Sequence, residues 1–207
     1  VQLKREKIFM TTRSPNGSAT APQTVRTFQI KAVSDVLAKL DWEIEQLQKA
    51  QFSQSIDTVE TLSYHAINAA ITAFHLCEWI WHAGTPQQRD VWLLAAPSAS
   101  KTKGKTRFQV GLKTQCPEFG VCREIANSFK HFADDQHTDT SVRTDVPLFE
   151  SFVPAMAGIT RAGEPLVQYS KTLMVRIKGD STPIAHVLSK THGFLEDFCE
   201  KNGFLII

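Results

Sequence analysis

The residues best equipped for chemistry fall within one short run. Arg123, Glu124, Asn127, Lys130, His131 and Asp134 combine a permanent cation, an imidazole that titrates near neutral pH and polar groups able to orient both. At about 100° per residue, Arg123, Asn127, Lys130, His131 and Asp134 share one arc of a helix, with Val121, Ile125, Phe129 and Phe132 opposite. A histidine that exchanges a proton beside a guanidinium that stabilises developing negative charge is the equipment for general acid–base work on a phosphodiester. The competing reading is a solvated helix face whose charges pair weakly and do no chemistry.

Two further constellations compete for attention. His75, Glu78 and His82 share a helix face with Tyr64, Asn68 and Trp79. A His and a Glu three residues apart can hold one metal ion, but a di-metal bundle needs a second such pair, which the chain does not show. The plainer reading is a hydrogen-bonded, half-buried cluster, so no metal and no cofactor are expected. Lys101, Lys103, Lys105 and Arg107, spaced by Thr and Gly, form the densest basic run. They are candidate nucleic-acid contacts, set against the simpler possibility of a charged loop leading into a strand. The four cysteines, Cys77, Cys116, Cys122 and Cys199, are too scattered for a disulfide framework and read as reduced thiols. Cys116, Cys122, His131 and His137 lack the close paired spacing of a zinc site. Gly-rich phosphate loops, nucleophile elbows and zinc-protease helices have no counterpart in the sequence.

The run Arg123-Glu124-Ile125-Ala126-Asn127-Ser128-Phe129-Lys130-His131 resembles the Arg/Asn…His signature on a late helix of HEPN domains. The resemblance implies an all-α bundle, often dimeric, acting as a metal-independent ribonuclease or RNA-binding protein in toxin–antitoxin, abortive-infection or CRISPR systems. Carried over by position, Arg123 and His131 become the catalytic pair and Asn127 the orienting residue. Lys130 becomes a phosphate contact, with Glu124 among the supporting polar groups. The Arg-to-His spacing is longer than is usual in the family, and it sets the two side chains about 80° apart on an ideal helix.

The elements that must hold these groups are legible from apolar spacing. Val33, Val36, Leu37, Leu40, Ile44 and Leu47 predict a helix over residues 25 to about 50. Asp57 and Glu60 have capping-box spacing and open a second helix to about residue 82, stopped by Gly84. That helix is apolar nearly all round, with Ala66, Ala69, Ala70 and Ala73 in one stripe, and is expected at the centre of the bundle. Thr85 and Pro86 open a short third helix. Phe108, Val110 and Leu112 alternate, which predicts a strand over 105–113. Pro117 starts a helix over 117–133, and residues 151–161 and 165–178 flank a turn at 162–164, which predicts a hairpin. Pro183 opens the last helix, with Val187, Leu188, Phe194, Leu195 and Phe198 on its core face. The fold class expected is α+β and predominantly helical: a helical bundle with a small antiparallel β-sheet or hairpin. Residues 1–24 are polar and read as a flexible arm, leaving 25–207 as one domain.

Composition narrows the partners. The net charge of +2 is too small for a general nucleic-acid surface, so any such surface must be local. Without an apolar run near the roughly twenty residues needed to cross a bilayer, the chain is expected to be soluble, cytoplasmic and without a membrane partner. The expected partners are RNA, a protein, or further copies of the chain as a homo-oligomer. Three functions follow, in this order: a HEPN-like RNA-binding protein or ribonuclease of a toxin or antiviral-defence system, a non-catalytic protein-interaction module, and a metal-binding helical bundle.

Overall fold

Apolar residues three and four apart must share a helix face, and α1, Val33–Gln51, buries Val36, Leu37, Leu40, Ile44 and Leu47 along one side. It begins at Val33 rather than near residue 25. The Asp35 carboxylate accepts the Ala32 N–H at 2.9 Å, the backward half of a capping box, and this fixes the start. The computed structural model describes residues 28–51, 59–97, 100–130, 141–145, 151–154, 167–170 and 172–205. The expected cap at Asp57 lies outside them. All the elements belong to one unit that begins at Ala32.

The second helix, α2, runs Val59–Ala83 and packs against α1, α4, α5 and α6. Ala69, Ala70 and Ala73 are fully buried, and their small side chains let the neighbouring helices approach. This is the central helix that its all-round apolar character predicts. It stops at Gly84, where an added Cβ would sit 2.3 Å from the Trp92 ring, so the reversal into the next helix needs glycine. Thr85 then caps α3, Pro86–Leu93, in a full capping box with Gln88. The Arg89 guanidinium donates to the Trp81 and His82 carbonyls and lies over the Trp81 ring, which satisfies the end of α2.

The strand expected at 105–113 is instead a helix, α4, Gly104–Gln115. Phe108 and Leu112 are two apart from Val110 but also four apart from each other, so they fit both periods. The buried set Phe108, Gln109, Gly111 and Leu112 follows the helical one. Gly111 packs closely on the Ala95–Ala96 backbone, and Phe108 joins Trp81, Trp92 and Phe198 in a ring cluster. Tertiary packing thus decided between two patterns that the sequence carries together.

Helix α5, Pro117–Lys130, packs against α2, α4 and α6. Helix α6, Ile184–Lys201, buries Val187, Leu188 and Leu195. At its end, Asn202 accepts the Trp92 indole N–H at 2.9 Å through its side chain and the Gln88 amide at 3.1 Å through its carbonyl. Between α5 and α6 lie the strands β1 (Val142–Asp145), β2 (Ser151–Pro154), β3 (Val167–Ser170), β4 (Met174–Ile177) and β5 (Asp180–Pro183). Strands β2 and β3 pair antiparallel, as the hairpin reading requires, while β4 joins a separate antiparallel sheet of order β1-β4-β5. Residues 162–164 lie outside the described residues. The protein is therefore a predominantly helical α+β fold, a helical bundle with a small antiparallel sheet. Among the described residues no helix is long and apolar enough to cross a membrane.

Candidate functional site

Helix α5 turns differently from its expected amphipathic split. Phe119, Val121, Cys122 and Ala126 are buried, and Glu124 is only 4% exposed, whereas Phe129 is 66% exposed. Of the expected apolar face of Val121, Ile125, Phe129 and Phe132, Val121 is buried and Ile125 half-buried, Phe129 turns to solvent instead, and Phe132 lies outside the described residues. The early turns of α5 are surrounded by three helices and buried on most sides, and its last turn emerges into solvent. Ile125 is half-buried and lines an apolar pocket of about 110 Å³ with Ser63, Ile67, Met174 and Val175.

The first two members of the polar arc consequently lie along a packed seam. Arg123 and Asn127 are half-buried, and the Arg123 side chain is 25% exposed. Its Nη1 lies 4.0 Å from Glu124 Oε1, too long for a hydrogen bond. Across the seam, Lys105 Nζ donates to Glu78 Oε1 at 2.6 Å, and the Gln109 amide faces the Cys77 thiol at 3.8 Å. Burial pushes the Cys77 thiol up to about 12. The Gln109 hydrogen bond and the positive charges of Lys105 and Arg123 oppose that shift, and Glu78 adds to it. Glu78, singled out as a ligand, and Lys105, singled out as a phosphate contact, therefore meet where α2 and α4 pack, and Arg123 on α5 lies within electrostatic reach of the neighbouring Cys77. An arriving anion would compete with Glu124 for Arg123, while the Cys77 thiol stays protonated and is no nucleophile at neutral pH.

The other candidates separate. Lys101 and Lys103 are exposed, Lys105 is paired, and Arg107 donates to the Leu93 and Ser100 carbonyls, both at 3.2 Å. The four do not form one surface, because a helix carries the last two into contacts with the bundle. His75 and His82 are exposed, and among the described residues no group of three His, Cys, Asp or Glu gathers in a way that could hold a metal ion. Lys130 ends the described part of α5, and His131, Asp134 and Asp135 lie outside the described residues.

One polar cluster was not anticipated. Glu43 is 4% exposed in the α1–α2 seam, where Lys39 Nζ bonds both its Oε1 and the Thr72 hydroxyl. Its Oε2 has no hydrogen-bond partner. The signal was present, since Glu43 sits three residues after Leu40 and four before Leu47, inside the apolar stripe of α1. No family model, curated protein or solved structure matches the chain.

Proposed function

We propose that the chain is a HEPN-like RNA-acting domain whose working groups fall on α5 and at the sequence position that follows it. In this reading Arg123 stabilises negative charge on a phosphodiester, His131 exchanges the proton, Asn127 orients them and Lys130 contacts phosphate. The observation that carries it is the partial burial of Arg123 in a polar seam. A guanidinium 25% exposed, with the Glu124 carboxylate beyond hydrogen-bond reach, interacts more strongly with an arriving anion than one in bulk water. A solvated outer face would have left Arg123 in open water. The experiment is incubation with single-stranded RNA in excess chelator. Cleavage is expected, and Arg123→Ala and His131→Ala are each expected to lower it about 100-fold or more. Cleavage unchanged by His131→Ala would remove the assignment of the catalytic pair. RNA that is neither bound nor cut would remove the reading.

The exposure of Phe129 favours a second reading, in which the end of α5 docks a protein partner or another copy of the chain. Phe129→Ser would then lower the mass measured by light scattering, or release a defined co-purifying protein, without changing the far-UV spectrum.

A further inference from the structure

Where the sheet meets the bundle, the packing leaves a gap. Half-buried Ile67 of α2 and Ile125 of α5, with buried Val175 of β4 and Ile184 of α6, enclose the apolar pocket of about 110 Å³. Leu173, Met174 and Val175 line it in succession. Three consecutive residues cannot share one side of a strand, so the pocket abuts the entry of β4 rather than one face of the sheet. The Leu173 carbonyl there is already engaged, since it accepts the Ile184 N–H at 3.0 Å. Thr144 of β1, the register partner of Val175, lines the pocket and is exposed, which sets the mouth beside it.

The lining selects its occupant. Nine described residues form it and none of them carries a charge: seven are aliphatic or Met, and Ser63 and Thr144 are hydroxyls. An ion buried there would lose its hydration without a partner, so carboxylates, phosphates and ammonium groups are rejected. The two hydroxyls differ in what they can offer. Ser63 donates to the Val59 carbonyl at 2.7 Å and is left as an acceptor, whereas Thr144 at the mouth can donate.

We infer that the pocket binds an uncharged small molecule made of a short alkyl chain and a hydroxyl or amide head, with the chain among Ile67, Ile125, Val175 and Ile184 and the head at Ser63 and Thr144. Apolar cavities of about 150 Å³ hold a benzene ring, so the smaller volume here suits an unbranched chain that enters end on and leaves its head at the open side. Such a head both donates and accepts, which meets Ser63 and Thr144 together. An unfilled apolar gap forfeits dispersion contacts along its walls, and a chain inside restores them. Met174, unbranched and half-buried, can re-pack around chains of different length. None of the groups assigned to phosphodiester chemistry lines the pocket, so this ligand site stands or falls separately from the RNA-acting reading.

The probe is n-hexanol, titrated into the full chain carrying isotope-labelled methionine methyl groups and followed by NMR. Of the three methionines, Met174 is identified by the signal lost in Met174→Leu. That signal is expected to shift saturably, with a dissociation constant of about 1 mM. Hexanoate and hexylammonium are expected to bind at least about tenfold more weakly, because each would carry its charge into the pocket. Ile67→Trp, which fills the space with a ring, should abolish the shift without changing the far-UV spectrum. Thr144→Val, at an exposed position, should weaken n-hexanol binding by about three- to tenfold. The absence of a saturable shift overturns the inference, as does hexanoate binding as tight as that of the alcohol. Binding that survives in folded Ile67→Trp or, should that variant misfold, is unchanged in Thr144→Val places the alcohol elsewhere and overturns it as well.

Discussion

At the scale of single residues, burial decides what each reactive group can do. The thiols of Cys77 and Cys122 are both pushed up to about 12 from 9.0, first of all by desolvation. Between those two pH values the folded chain keeps protons that the unfolded chain has lost. Their contribution to stability is thus complete below about pH 9 and disappears as pH rises through 12. Urea unfolding midpoints should fall above pH 9, and Cys77→Ala/Cys122→Ala should flatten that fall. At pH 8 the native protein should leave both thiols unalkylated by iodoacetamide while the urea-unfolded chain reacts, and rapid labelling of the native state would contradict the burial. Arg107 is decided in the same way. Its two backbone contacts tie the start of α4 to the end of α3 and to Ser100. Arg107→Ala is expected to cost about 1–3 kcal/mol in denaturant unfolding, with lysine restoring only part because it has no fork to span two carbonyls. Unchanged stability with weakened RNA binding would return Arg107 to the nucleic-acid contacts.

At the scale of elements, the seam between α1 and α2 carries a buried carboxylate whose only charged neighbour within bonding range among the described residues is Lys39. Lys39→Met leaves Glu43 uncompensated and is expected to destabilise by about 1–3 kcal/mol, a figure reduced because Lys39 is itself partly exposed. The double variant Lys39→Met/Glu43→Met, which replaces both charges by apolar groups, should recover most of that loss in the same unfolding assay. A double variant no better than the single one would show that Glu43 contributes through something other than its charge. The same elements show what spacing can and cannot convey. α1, α2, α3 and α6 follow from apolar periodicity, and α3 also from its Thr85 cap, whereas the start of α1 falls eight residues later than its periodicity suggests. α4 did not, since Phe108 and Leu112 satisfy a strand and a helix at once, and only contact with Ala95, Trp81 and Trp92 selects the helix. For α5 the existence of the helix and the burial of Val121 were legible, but the depth at which each turn is buried was not. That depth depends on how many neighbours surround each turn, and the exposed Phe129 and buried Glu124 record that tertiary fact.

At the scale of the whole molecule, the candidate groups were readable by type, but their grouping was not. Lys105 and Glu78 belonged to two unrelated motifs until α2 and α4 packed together. The clasp at Asn202 is equally remote, joining it to Trp92 and Gln88 across 110 and 114 positions of sequence. Asn202→Ala leaves the indole N–H of the buried Trp92 without its acceptor and should lower the unfolding midpoint by an amount matching about 1–3 kcal/mol. An unchanged midpoint would mean that the α3 end is held by ring packing alone. The clasp also bears on how the protein is made. During translation α3 leaves the ribosome long before its partner at Asn202 has been synthesised, so the Trp92 side of α3 must wait with an unmet donor. Arrested nascent chains stopped short of α6 should therefore be cut by protease near α3, and chains that have emerged past Asn202 should resist.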